Sequence, residues 1–287
     1  MRAWLGCLAL AACGRINFDA TNNAVDGDAS PVMGRFGTPV RIDELGTIGK
    51  NEDPSLTGDM LELYFNSDAT GAGDIYVSKR AAVTDPWGAP QLVVELSSSA
   101  EENTPEVSLD GLTFWLSSKR TGSGDYWVST RATRTDPWGV PQTVPVLSMA
   151  GNDVSPFALP DQLTVYVVNN SSGEDEIYRS TRSSVADPWP TATLVTELSH
   201  PAFDSDEWVS TDDLTIYWAS ERITQGDMDL WRAKRPAPGM PFSLLEPVTE
   251  LNTSGMDEDD PWLSPDGHTI YFSQGSGAQM SIYMATR

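Results

Sequence analysis

The chain has 287 residues, and its 41 Asp and Glu against 18 Lys and Arg give a net charge of −23. That sign disfavours nucleic acid, whose phosphates require Lys and Arg, and anionic lipid headgroups; it favours cationic partners, metal ions or plain solubility. The two cysteines, Cys7 and Cys13, exclude a disulfide-stapled fold, because Cys7 lies in a leader and the mature chain would keep one thiol.

Residues 1–12 (MRAWLGCLALAA) carry one basic residue and then an almost wholly apolar run ending in small side chains. This is a secretory leader, too short to span a bilayer as a helix. Leu10-Ala11-Ala12-Cys13 resembles the lipobox of bacterial lipoproteins, which implies that Cys13 is lipidated and becomes the first residue of the mature protein. Membrane association would then run through the lipid anchor alone. Gly14 at the second mature position favours the outer membrane under the enterobacterial sorting rule. Residues 13–33 are rich in Asn, Asp, Ala and Ser without periodicity, and read as a flexible tether. Asp26-Gly27-Asp28 looks like a fragment of a calcium loop, but the closing glutamate is absent.

From residue 34 onward the chain repeats with a period of about 51 residues. An aspartate recurs at Asp59, Asp110, Asp161, Asp212 and Asp266, and a second-strand aromatic at Tyr64, Trp115, Tyr166, Tyr217 and Tyr271. A basic residue closes the third strand at Arg80, Arg131, Arg182, Arg235 and Arg287. A D-P-W turn supplies Trp87, Trp138 and Trp189, with Phe242 slightly out of phase. Each unit reads as four short strands, rich in β-branched and aromatic residues and punctuated by Gly, Pro and Asp. Asp110-Gly111 suits the positive φ angles of a two-residue hairpin. Four antiparallel strands per unit fit a propeller blade.

The segment RFGTPVRIDEL at 35–45 matches the end of a unit: Phe36 aligns with Trp87, Pro39 with Pro90, and Glu44-Leu45 with Glu95-Leu96. The chain therefore begins with a fourth strand and ends, at Arg287, with a third. The fold class predicted is all-β, a five-bladed β-propeller over 34–287, in which the N-terminal strand completes the last blade. Closure of this kind leaves no orphan edge.

Ser264-Pro265-Asp266-Gly267-His268-Thr269-Ile270-Tyr271-Phe272-Ser273 resembles the WD40-like repeat of TolB-type propellers. The resemblance covers about 34–287 and is strongest in the second and fifth units. Units one, three and four read LTGDM, ALPDQ and STDDL at the same turn, keeping the Asp but shifting or losing the Gly. TolB itself has six blades and an extra α/β domain with no counterpart here. The resemblance implies a fold and a tendency to bind partners, and it brings no catalytic residue.

Three residues before the blade-opening proline position lie Asn51, Glu102, Asp153, Asp204 and Glu258. They are expected to form a polar ring at the channel mouth. One reading is a cation site, Ca²⁺ being the candidate cofactor, since that ion prefers carboxylate and carbonyl oxygens. The other is structural: each carboxylate accepts backbone N–H groups of a neighbouring loop. Recurrence in every blade favours the second. The repeated Arg residues are expected to pair with Asp85, Asp136 and Asp187 of the D-P-W loops, with the Trp packed over the pair.

Catalysis requires a break in symmetry, and little in the sequence supplies one. His200 and His268 occupy unlike positions and belong to no metal-spaced cluster. No nucleophile elbow or phosphate-binding glycine loop occurs. Some five-bladed propellers are glycosidases with carboxylates around the axis, and Asp53, Glu102, Asp206 or Glu207 could be cast in that role. Trp208 and Trp262 could stack a sugar, although Trp in such strands is usually core. The function expected is therefore a non-catalytic, lipid-anchored envelope propeller, a monomer, that binds a protein, peptide or envelope polymer and no nucleic acid. The alternative is a carbohydrate-active propeller with a carboxylate or Ca²⁺-dependent site at the channel.

Overall fold

In a computed structural model, residues 34–46 and 49–287 are described. The leader at 1–12, Cys13 and the tether at 13–33 lie outside them. Residues 35–287 form five four-stranded antiparallel sheets arranged as a β-propeller. The innermost strands are Asn51–Leu56, Glu102–Val107, Asp153–Ala158, Asp204–Val209 and Asp257–Leu263. Among the described residues no helix is long and apolar enough to cross a membrane.

The ring closes as expected. Val40–Arg41 pairs antiparallel with Ser281–Thr286, in the register Val40 to Met284 and Arg41 to Tyr283. Gly37 N–H donates to the Thr286 carbonyl at 2.8 Å, and Ile42 N–H to that of Ile282 at 3.0 Å. Val40–Arg41 thus covers the edge that the last strand would otherwise expose.

Second strands such as Thr113–Ser118 are buried on both faces, because each blade is packed between two others. The core is therefore made of inter-blade layers. Tyr64, Ile75 and Val77 of the first blade pack with Val107, Phe114, Leu116 and Trp138 of the second. Trp115 and Tyr126 then pack with Ala158, Val165, Val167 and Trp189 of the third. The D-P-W turn works in these layers: Trp138 meets Tyr64 of the preceding blade edge-on at 6.2 Å, Trp189 meets Trp115 at 6.2 Å, and Trp87 meets Tyr271 across the seam at 6.5 Å. Edge-to-face contacts of this kind add to the gain from area buried.

The repeated Arg takes a different partner from the one expected. Ion pairs from Arg80, Arg131 and Arg182 to Asp85, Asp136 and Asp187 do not form among the described residues; only a 3.0 Å bond from Arg182 to the Asp187 carbonyl reaches that loop. Instead Arg80, Arg131, Arg182, Arg235 and Arg287 stack over Trp87, Trp138, Trp189, Phe242 and Phe36 at 4.1–4.5 Å. Each Nε donates to the carbonyl of Met60, Gly111, Gln162, Asp213 or Gly267. The reason lies in the turn. Those five residues have φ between 55° and 72°, whether glycine or not, and the guanidinium caps the carbonyl that this conformation turns outward.

The same turns correct the expected two-residue hairpin. Gly111 has positive φ but Asp110 does not, and Ser108 N–H pairs with the Thr113 carbonyl, which makes a four-residue loop. The repeated Asp accepts the N–H two residues on: Leu61, Leu112, Leu163, Leu214 and His268 donate to Asp59, Asp110, Asp161, Asp212 and Asp266 at 2.9–3.1 Å. This Asx turn explains why the Asp persists where the Gly is lost.

Candidate functional site: the acidic end of the channel

Each innermost strand carries a β-bulge at the same place, between Glu52 and Ser55 in the first blade and at the matching residues of the other four. The bulged residues are Asp53, Thr104, Ser155, Asp206 and Asp260, all with left-handed φ of 44–56°. Such a conformation is costly for residues with a Cβ and least so for Asp and Asn. A bulge here re-aims one side chain per blade toward the axis.

The five side chains are tied to one another. Thr104 N–H donates to Asp53 Oδ2 at 3.1 Å, Asp53 N–H to Asp260 Oδ2 at 3.0 Å, and Ser155 N–H to Thr104 Oγ1 at 3.1 Å. Ser155 Oγ donates to Asp206, and Ser273 Oγ to Asp260 Oδ2 at 2.5 Å. The first, fourth and fifth blades supply carboxylates, while the second and third supply hydroxyls. Oxygens of Asp53, Asp206 and Asp260 all lie within 4.8 Å of one another. Burial, followed by the neighbouring Asp206 charge, pushes Asp53 up to about 7. Burial drives Asp260 well above the usual carboxylate range, and the Asp53 charge adds to it.

Above this ring the channel opens into a recess of about 430 Å³. Eight of its fifteen lining residues are acidic and none is basic, with Glu52, Asp175, Glu221 and Asp259 among the acids. Burial raises Glu52 and lifts Asp175 to about 6. Below the ring the axis narrows to a cavity of about 50 Å³, reaching Glu207 and the aromatic rings of Phe157, Trp208 and Trp262. Trp208 and Trp262 are buried and edge-packed on Tyr217 and Tyr271, so they belong to the core. At the opposite end only about 20 Å³ remains, between Leu109, Pro160, Thr211 and Pro265.

The residues singled out from the sequence lie two positions earlier, inside the blades. Asn51, Glu102, Asp153, Asp204 and Glu258 are at most 1% exposed. Glu102 accepts from Ser98 N–H at 2.6 Å, from Ser118 Oγ at 2.8 Å and from Arg120 at 3.1 Å. Asp153 accepts from Met149 N–H at 3.2 Å and Asn169 Nδ2 at 2.8 Å; Glu258 accepts from Thr253 N–H at 2.8 Å and Gln274 Nε2 at 2.6 Å. Asp204 takes Trp218 Nε1 at 3.0 Å and Arg222. Asn51 donates to the Leu45 carbonyl at 2.9 Å. Asn51, Glu102, Asp153 and Glu258 fix the loop that leads into their own innermost strand. Asp204 reaches its loop through Arg222, which also donates to the Leu198 carbonyl, and none of the five lines the recess or the axial cavity.

Glu207 breaks the repeat. The other blades carry Pro54, Pro105, Pro156 and Pro261 at its position. Its side chain is buried, and neither carboxylate oxygen has a hydrogen-bond partner. Burial drives it well above the usual carboxylate range. The missing proline is a signal present in the sequence, visible once the bulge is known to face the axis.

No family model and no curated protein matches the chain. Among solved structures it is similar to TolB from Acinetobacter baumannii (TM-score 0.55, 16% identity), covering 83% of this chain and 54% of that one. The chain thus spans about half the length of that relative. It is also similar to the catalytic domain of a GH62 α-L-arabinofuranosidase from Coprinopsis cinerea (TM-score 0.60, 13% identity, 88% and 96% covered). An endo-arabinase from Bacteroides thetaiotaomicron matches at TM-score 0.56 and 13% identity, over 88% and 98% of the two chains. The shared feature is the propeller. At these identities it shows a fold and no activity.

Proposed function

We propose that the protein is a non-catalytic binding propeller of the bacterial cell envelope, anchored through Cys13, whose acidic recess receives a cationic segment of an envelope protein or peptide. The recess carries this reading: eight of its lining residues are acidic and none is basic, Lys50 and Lys119 pairing with only Glu52 and Glu101 among them, on a chain whose net charge is −23. Such a field attracts Lys- and Arg-bearing segments and speeds their encounter. The likeness to TolB and the lipobox-like LAAC at 10–13 support the envelope location.

The test is binding of a labelled Lys-Gly repeat peptide, with a Glu-Gly peptide as control. The triple variant Glu52→Gln/Asp175→Asn/Glu221→Gln is expected to bind the basic peptide at least about tenfold more weakly, equivalent to about 1.4 kcal/mol. The wild-type affinity is expected to fall as salt rises. Equal retention by the variant, or equal binding of the acidic peptide, overturns the reading.

One observation favours a carbohydrate-active protein instead: burial raises Glu207 well above the usual carboxylate range, the direction a general acid requires. Turnover of aryl arabinofuranosides that Glu207→Gln abolishes would replace the first reading with this one.

A further inference from the structure

We infer that the channel axis is a divalent-cation site of the Ca²⁺ class, formed by Asp53, Asp206 and Asp260 with Glu207 beneath them, and that the ion joins the fourth, fifth and first blades. Two independent observations meet there. The first is the carboxylate trio, whose oxygens lie within 4.8 Å of one another and which forms no ion pair with Lys or Arg among the described residues. One oxygen of each is already oriented: Oδ2 of Asp53 by Thr104 N–H, Oδ2 of Asp260 by Asp53 N–H, and Oδ1 of Asp206 by Ser155 Oγ. The second oxygen of each is the one to ligate. The positive φ angles of all three, shared with Thr104 and Ser155 in the same bulge of the other two blades, hold the set on the axis.

The second observation is Glu207. It is 5% exposed, both of its carboxylate oxygens lack a hydrogen-bond partner, and it lines the same cavity as the three aspartates. A buried carboxylate with no partner is disfavoured unless something opposite in charge meets it. Four blades have proline here and only the fourth has an acid, so the need is local to this side of the axis.

The donor set is oxygen only, which selects hard cations. An irregular cluster of carboxylates and hydroxyls at the end of an open recess suits Ca²⁺, which accepts six to eight ligands in flexible geometry, better than octahedral Mg²⁺. The three aspartates are only half-buried, so the ion can enter from the recess. Asp260 belongs to the blade completed by Val40–Arg41, Asp53 to the first blade and Asp206 to the fourth. An ion held by all three would tie the fourth, fifth and first blades together at the axis, beside the blade in which the ring closes.

The inference does not depend on the cationic-segment reading, and its residues differ from those varied in that test. The experiment is a Tb³⁺ titration of the full, chelator-treated chain, read as emission sensitised by Trp208 and Trp262, which line the cavity. Competition with CaCl₂ and thermal unfolding with and without CaCl₂ follow. We expect saturation at one ion per chain, displacement by Ca²⁺, and a higher unfolding temperature in its presence. Asp53→Asn/Asp260→Asn should weaken binding at least tenfold, and so should Glu207→Gln, which keeps the side-chain shape if the double variant does not fold. The recess variant Asp175→Asn/Glu221→Gln should bind as wild type. Non-saturating emission, retention of binding in the axial variants, or equal loss in the recess variant would each overturn the proposal, the last by tracing binding to diffuse acidity.

Discussion

Two rings run through this propeller, and they obey different rules. The outer one is the set of Arg–aromatic stacks, in which Arg80, Arg131, Arg182, Arg235 and Arg287 do the same job in five blades over four Trp or Phe rings and Phe36. The inner one is the set of axial bulges, where the backbone repeats five times but the side chains do not: Asp, Thr, Ser, Asp, Asp. Identical chemistry at every repeat is what packing requires, because each blade meets its neighbours in the same way. Identical backbone with unequal chemistry is what a single ligand on the axis requires. The sequence carries the fold where it repeats and carries the site where it stops repeating.

The largest effect should come from breaking the outer ring. Trp138 is buried, stands edge-on to Phe114 at 5.1 Å and Tyr64 at 6.2 Å, and carries the Arg131 guanidinium at 4.2 Å. Trp138→Ala is expected to cost about 3–5 kcal/mol, the range for emptying a large aromatic site. Chemical denaturation measures it directly. A cost below 1 kcal/mol would mean that the inter-blade layer is not the principal source of cohesion.

This division also decides how much could be read in advance. The period, the blade count and the closure by residues 35–45 were legible because each rests on large side chains repeated five times. The turn Asp was visible, but its reason was not: the hydrogen bond from Leu112 N–H to Asp110 exists only once the loop is known to hold four residues. The acids placed at the mouth from sequence, such as Glu102 and Asp153, lie within the blades, because the bulge shifts which residue faces the axis and a local kink leaves no periodic trace. Asp53 and Asp206 were visible as acids among many. What separates them is the bulge that turns their shared repeat position toward the axis, where they meet Asp260. Glu207 alone left a mark, as a missing proline.

A medium effect should appear with pH, from the buried acids within the blades. Burial raises Asp153 to about 6, against the lowering by Met149 N–H and the Asn169 and Ser148 side chains; the Asp125 charge adds a little. Its folded state therefore holds a proton that the unfolded chain releases near its ordinary value of 3.8. Stability from this group is complete below about pH 4 and is lost as pH rises through 6. At about 1.4 kcal/mol per pKa unit, the loss is roughly 2–3 kcal/mol. Glu106, raised to about 8 by burial, acts in the same direction. Asp153→Asn should flatten the decline between pH 4 and 7 by its share; a variant as pH-sensitive as wild type would show that Asp153 titrates normally.

The smallest effect is the most discriminating, because it asks whether the inner ring can be made to follow the outer ring's rule. Glu207→Pro gives the fourth blade the residue found at Pro54, Pro105, Pro156 and Pro261. The backbone there is part of the same bulge in all five blades, so proline should fit without strain and restrict the unfolded chain. It also removes a buried carboxylate with no hydrogen-bond partner, worth about 1–3 kcal/mol. In chelator-treated protein the variant should therefore be more stable than wild type. Added CaCl₂ should shrink that gap, since only the wild type keeps Glu207 under the ion. If the variant is less stable without metal, the acid serves the fold itself, and the contrast between a packing ring and a ligand ring fails at the position where the repeat breaks.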